Sequence, residues 1–131
     1  MSRLSLVLLS LWCTGCCFGR TPATYPSAQS PRGTAVTITT TRDVALVGEL
    51  LAVTDTALVV YGPPGIVLAP YTATREAWFP DLPLRLRSRV PDAREAERLR
   101  LHSRFPQGIG ADLLQQLLER YEQPELVVVR E

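Results

Sequence analysis

Few side chains in this chain of 131 residues could do chemistry, and its three cysteines lie together near the start. Cys13, Cys16 and Cys17 carry thiols, which can form disulfides, bind metals or take up a thioether-linked lipid. Because no cysteine follows Cys17, the rest of the chain can form neither a disulfide of its own nor a thiolate metal site.

Catalytic groups are scarce as well. All 14 basic residues are arginine, so a Schiff-base lysine, a P-loop lysine and a lysine general base are excluded. His102 is the only histidine, and its place in an arginine-rich stretch favours a surface or half-buried structural role. Asp43, Glu49 and Asp55 fall at predicted turns and on a strand, which favours turn chemistry and solubility. The sequence therefore predicts no enzyme, with no catalytic residue, no cofactor and no metal ligand.

The residues around the cysteines have the layout of an export signal. Arg3 supplies a positive charge, Leu4 to Trp12 form an apolar run, and small residues precede Cys16. The run is interrupted by two serines and is too short to cross about 30 Å of hydrocarbon as a helix. We therefore expect residues 1–15 to be a cleaved signal peptide.

The segment from Cys13 to Cys16 resembles the lipobox of bacterial lipoproteins, in which a large aliphatic residue, a small residue and Gly or Ala precede the cysteine. Thr14 and Gly15 match this pattern, whereas Cys13 stands where the family has leucine. The resemblance implies cleavage after Gly15, a diacylglycerol thioether on Cys16 and acylation of the freed amine, for example with palmitate. It also implies delivery to the outer membrane, because Cys17 stands where an aspartate would signal inner-membrane retention.

Two alternatives to lipidation remain open. An ordinary secretory signal cleaved near Gly15 or Gly19 would release a soluble protein, and a chance apolar run would leave the chain in the cytosol. Under the lipoprotein interpretation, residues 16–33 are the lipidated cysteine and a flexible tether. Three prolines among small polar residues cannot bury enough surface to order this stretch, which would extend over roughly 30 to 40 Å.

A β-rich region is predicted over residues 34–80. β-Branched alternation begins at Thr34, with Val36, Ile38 and Thr40 on one face. Further apolar runs follow at 44–53, 56–61, 66–69 and 71–79, separated by turns at 42–43, 54–55 and 62–65. Gly48 predicts a bulge or sharp bend in the second run. Five short strands with such a bend predict a small curled antiparallel β-barrel.

Residues 47–60 resemble the Sm-like and SH3-like barrels, in which a bent strand with glycine is followed by an apolar strand, an acidic turn and another apolar strand. Residues 66–79 resemble their closing strands, where Tyr71, Trp78 and Phe79 either line a cleft or, as we favour, complete the core. Many Sm-like barrels bind RNA in a ring. No Arg-Gly motif follows here and the net charge is +1, so we expect no nucleic-acid partner. An Sm-like nucleic-acid binder remains an alternative.

Residues 81–131 predict an extended segment followed by a helical hairpin. Leu84 to Val90 alternate apolar and basic side chains, and Asp92 with Glu95 forms a capping box for a first helix. A second helix begins near Ala111, and its apolar side chains form one stripe that packs on the partner helix or on the barrel, with a dimer seam as the alternative. These side chains are Leu113, Leu114, Leu117, Leu118 and Tyr121. Leu126 to Val129 predict a short edge strand.

The stretch from Arg85 to Arg104 holds seven arginines and three acidic residues, a local excess of four positive charges. It is either a patch for anionic lipid headgroups, lipopolysaccharide or an acidic partner, or a solvated face with internal ion pairs, and we favour the latter.

Together these features predict an α+β protein, exported and held in the cell envelope by a lipid on Cys16. Its expected function is non-enzymatic, a small interaction module that binds another envelope protein. The alternative is a structural subunit that self-associates through the barrel or the leucine stripe.

Overall fold

The computed structural model describes residues 32–131 of the chain. The predicted signal peptide, Cys16 and most of the tether lie outside these residues. The described part is α+β, as predicted, with one mostly antiparallel sheet and two helices near its C-terminal end. The strands are β1 (Ala35–Thr40), β2 (Ala45–Val53), β3 (Ala57–Gly62), β4 (Gly65–Pro70), β5 (Thr74–Phe79), β6 (Leu84–Arg87) and β7 (Val127–Val128). The helices are α1 (Ala93–Leu101) and α2 (Ala111–Arg120).

The strand order is β6-β5-β1-β2-β3-β4-β7. A short 3₁₀ helix, Tyr71–Ala73, joins β4 to β5, which crosses to the free edge of β1. No ladder joins the two ends of the sheet within residues 32–131, so the predicted five-stranded closed barrel is not confirmed. The physical reason is that β6 pairs with β5 and β7 with β4, so both edges through which five strands would close are already occupied.

Strand β2 pairs with two neighbouring strands in succession along its length. Its first half, to Glu49, pairs with β1, and its second half, from Glu49, pairs with β3. The register shifts between Leu50 and Ala52, so the bulge predicted at Gly48 lies instead at Leu51. Gly48 allows β2 and β3 to approach each other closely, because a Cβ there would overlap the carbonyl oxygen of Tyr61 on β3.

A first apolar core lies on the inner face of the sheet. The predicted alternation holds, since Val36, Ile38 and Thr40 are all buried. Tyr71 and Phe79 belong to this core, whereas Trp78 points to the opposite face under the guanidinium of Arg85, 4.5 Å from the ring centroid. The remaining members are Leu46, Leu50, Val53, Leu58, Val60, Val67, Ala69, Ala77, Leu82, Leu86 and Leu99.

A second apolar core lies between the outer face of β2 to β4 and helix α2. Leu117 and Leu118 of α2 pack against the side chains of Leu51, Val59 and Ile66. Both faces of these strands are therefore covered, which explains why residues 50–53 and 57–60 are continuously apolar instead of alternating. The predicted leucine stripe packs on the sheet, while Leu99 of α1 belongs to the first core.

Helix α1 begins with the predicted capping box. The Asp92 carboxylate accepts from Glu95 N at 2.8 Å, and the Glu95 carboxylate accepts from Asp92 N at 3.0 Å, which completes the capping box. Helix α2 starts after Gly110, which offers no side-chain cap. The predicted C-terminal edge strand forms as β7, parallel to β4.

Candidate functional site

The arginine-rich stretch is largely neutralised by ion pairs. Five of its seven arginines face a carboxylate, and the remaining two, Arg94 and Arg98, are exposed on α1. The pairs are Arg85 with Glu76 at 2.8 Å, Arg87 with Glu76 at 3.3 Å, Arg89 with Glu95 at 2.6 Å, Arg100 with Glu97 at 2.8 Å and Arg104 with Glu49 at 3.2 Å. This arrangement fits a solvated, internally compensated face better than an open cationic patch.

Of the carboxylates singled out in the sequence, only Glu49 lies in a half-buried polar cluster; Asp43 and Asp55 occupy exposed turns. Asp43 faces Arg75 in an exposed ion pair. The Glu49 carboxylate accepts a hydrogen bond from Gly33 N at 2.7 Å and faces Arg104 Nε at 3.2 Å. The side chains of Glu49 and Arg104 are 18% and 26% exposed, so their attraction is screened less than that of a surface pair.

The bulge in β2 fixes the position of Arg104. Arg104 N donates to the carbonyl of Leu50 at 3.0 Å, and Phe105 N donates to the carbonyl of Leu51 at 2.8 Å. On the other side, Leu50 N donates to the carbonyl of Thr34 at 2.9 Å. The loop after α1 is therefore hydrogen-bonded to the sheet at the residue that interrupts the regular ladder.

Two tyrosines complete this site. Arg104 Nη1 donates to the hydroxyl of Tyr121 at 3.0 Å, and the Tyr121 ring stacks on Tyr61 with centroids 4.4 Å apart and planes at 25°. We call Glu49, Tyr61, Arg104 and Tyr121 the arginine–tyrosine cluster. No local sequence pattern predicts this cluster, because its members come from β2, β3, the loop after α1 and the end of α2.

A cleft of about 320 Å³ opens beside the cluster. It is lined by Arg104, Phe105, Leu117, Arg120 and Tyr121. The lining combines two guanidinium groups, a phenol and the apolar side chains of Phe105 and Leu117, and it includes no carboxylate. Arg120 makes no ion pair with another of residues 32–131. We call this the Arg104–Arg120 cleft, and its chemistry suits a ligand with an acidic group next to an apolar part.

Asp81, His102 and Ser103 are among the residues that line a second cavity, of about 190 Å³. These residue types occur in hydrolytic triads, but the contacts of His102 and Ser103 are with the end of α1 and with Thr34. Ser103 is buried and its hydroxyl donates to the carbonyl of Arg100 at 2.7 Å, so its proton is already committed to the end of α1. His102 caps α1, and its carbonyl accepts from Thr34 N at 2.8 Å.

Residues 32–131 include no helix with the length and apolar character that a membrane-spanning segment requires. They also contain no group of three or more His, Cys, Asp or Glu side chains that could hold a metal ion.

No protein-family model, curated protein or solved structure matches the chain.

Proposed function

We propose that this chain is a lipid-anchored, non-enzymatic protein of the cell envelope, whose domain binds another envelope protein. The observation that carries the proposal is the run Thr14-Gly15-Cys16 after an apolar segment, in a chain with no cysteine beyond Cys17. One acyl chain gives only marginal membrane binding, at about 0.8 kcal/mol per buried methylene, so three chains on Cys16 would make attachment durable. Delivery to the outer membrane is part of this proposal.

The anchor is tested by Cys16→Ser, with Cys17→Ser as the matched control one residue away. Mass spectrometry of the membrane-extracted protein should show the lipid mass in the parent chain and in the Cys17→Ser variant. The Cys16→Ser variant should lose both the lipid mass and its partition into membranes. An unchanged mass and partition in Cys16→Ser would rule out lipidation at this residue.

We further propose that the Arg104–Arg120 cleft is the surface that receives the partner. The support is the uncompensated Arg120 beside the apolar side chains of Phe105 and Leu117. A partner segment with a carboxylate next to an apolar side chain would complement it, because guanidinium groups bind carboxylates bidentately.

The cleft is tested by crosslinking in cells followed by pull-down. Arg120→Ala should lower the yield of the crosslinked partner several-fold, whereas Arg94→Ala, an exposed arginine on α1, should leave it unchanged. Equal yields from the two variants would show that the partner binds elsewhere.

The finer fold is also a proposal: strands β1 to β5 curl into a small barrel of the Sm-like or SH3-like kind that stays open between β4 and β5, whose outer edges pair with β7 and β6. The strand order β5-β1-β2-β3-β4, the 3₁₀ helix before β5 and the bulge in β2 support it. Phe79 on β5 and Val67 on β4 are four strands apart, roughly 19 Å in a flat sheet. A nuclear Overhauser effect between their side chains is expected for a barrel, and its absence would contradict one.

Self-association is the alternative function, and the leucine stripe is a poor surface for it. Leu117 and Leu118 are 6% and 8% exposed because they pack on the sheet. A self-associating chain would have to use another part of the molecule.

A further inference from the structure

The outer edge of β4 is covered by the residues that follow α2, which we call the C-terminal tail (residues 122–131). The side-chain amide of Gln123 acts like a strand residue. It accepts from Ile66 N at 2.7 Å and donates to the Ile66 carbonyl at 2.9 Å. Strand β7 then pairs with Val67 and Leu68, and Val129 N donates to the Leu68 carbonyl at 2.9 Å. The edge ends at Pro70, which has no N–H to offer.

Only a short strand of the tail pairs with this edge, although Leu126 and Val129 also pack against the second and the first core. Strand β7 has two residues, and its side chains, Val127 and Val128, remain 39% and 47% exposed. The tail leaves α2 through Glu122, whose φ of 52° is in the left-handed region that favours glycine. Pro124 restricts the backbone of Gln123, the residue before it, and we call residues 122–124 the joint. Short, strained connections of this kind favour exchange of a terminal element between copies.

We propose that two copies of this chain exchange C-terminal tails, so that β7 of each pairs with β4 of the other. The partner is a second copy because the tail already fits this edge, and the hydrogen bonds between the tail and β4 are recovered in the exchanged form. Extension of the joint would release the left-handed backbone at Glu122, at the cost of the hydrogen bonds that Glu122 N and Gln123 N donate to the carbonyls of Glu119 and Leu118. The anchor of the proposed function would favour exchange by concentrating copies on one membrane, but the exchange itself rests only on the described contacts.

The exchange is tested with two differently tagged full-length copies in one cell. One copy carries Leu68→Cys and the other Val128→Cys, positions that are Cα partners between β4 and β7. Both copies carry Cys17→Ser to remove a competing thiol. Oxidation should yield a covalent heterodimer. Val47→Cys on β2, paired with Val128→Cys, is the control and should give none. If a chain carrying both Leu68→Cys and Val128→Cys forms only an internal disulfide, and the separate copies never crosslink, the proposal is overturned.

The joint is tested by Glu122→Gly, because glycine adopts the left-handed conformation without strain and so favours the closed form. The heterodimer yield should fall about fivefold, which corresponds to roughly 1 kcal/mol. The control Glu125→Gly, at a residue of ordinary φ, should leave it unchanged. An equal or higher yield in Glu122→Gly would contradict the role of the joint.

The exchange and the anchor are distinguished with the Cys16→Ser variant. Crosslinking that persists in Cys16→Ser shows that exchange does not require the anchor, and a lipidated chain that never crosslinks overturns the exchange alone.

Discussion

Arg104 donates a hydrogen bond of 3.0 Å to the hydroxyl of Tyr121 and so joins the loop after α1 to the end of α2. The same guanidinium faces Glu49 at 3.2 Å, which links both elements to the sheet. The arginine–tyrosine cluster therefore connects the two C-terminal helices to the strands through side chains, in addition to the apolar packing of the cores.

Removal of the Tyr121 hydroxyl should weaken this connection. Tyr121→Phe keeps the ring stacked on Tyr61 but removes the hydrogen bond between Arg104 Nη1 and the hydroxyl, so we expect a loss of about 1 kcal/mol in the free energy of unfolding. Tyr61→Phe keeps the same stack and leaves the Arg104 bond in place. Urea denaturation of the two variants checks this, and equal stabilities would contradict a role for the Arg104 bond.

The packing of α2 on the sheet predicts a larger effect. Leu117→Ala removes a side chain that is 6% exposed in the second core, and we expect a loss of roughly 2 to 5 kcal/mol. Leu101→Ala, also on a helix but 42% exposed, should change stability by less than about 1 kcal/mol. If the two substitutions lower the free energy of unfolding equally, α2 does not pack on the sheet as described.

Local patterns in the sequence were sufficient to predict most of the elements. Alternation of β-branched residues predicted β1, the Asp92 and Glu95 spacing predicted the start of α1, and the leucine stripe predicted α2. Each of these signals depends on residues within a few positions of one another, where backbone geometry and capping are decided.

Features that depend on distant partners were not predictable in this way. The bulge lies at Leu51 instead of Gly48, because its place is set by the register with β3. The pairing of Glu49 with Arg104 and of Tyr61 with Tyr121 arises only once the loop and α2 are placed on the sheet. The predicted five-stranded closed barrel is not confirmed for the same reason, because β6 and β7, which pair with β5 and β4, come from residues 81–131, which the sequence analysis placed outside the barrel.

The close approach at Gly48 gives a prediction about the bent strand. In Gly48→Ala the new methyl group would overlap the Tyr61 carbonyl, so β2 and β3 must separate locally, at an expected cost of roughly 1 to 3 kcal/mol. Gly110→Ala is the control, because no atom lies within 4 Å of its new methyl group and only the cap preference is lost, which is less than about 1 kcal/mol. Thermal unfolding should therefore show a clearly lower midpoint for Gly48→Ala, and matching midpoints would exclude the close contact.

Acid should weaken the start of α1 through Glu95. Hydrogen bonds from Arg89, and then from the backbone of Asp92, lower the pKa of this carboxyl from 4.5 to about 2. Because the pKa is lower in the folded chain, the stabilisation is fully present above about pH 4.5 and is lost as the pH falls towards 2. The Arg89 side chain is 45% exposed, so solvent screens the pair and reduces the size of the effect.

The variant Glu95→Gln cannot titrate, so its stability should fall less than that of the parent chain between pH 4.5 and 2, while at pH 7 it should be the less stable of the two. Arg89→Ala should also reduce this acid dependence, because it removes the donor with the largest influence on the Glu95 pKa. Arg98→Ala, an exposed arginine on the same helix, should retain the parent profile. Thermal midpoints measured across this range decide the matter, and parallel curves for Glu95→Gln and the parent chain would show that Glu95 does not carry the acid sensitivity.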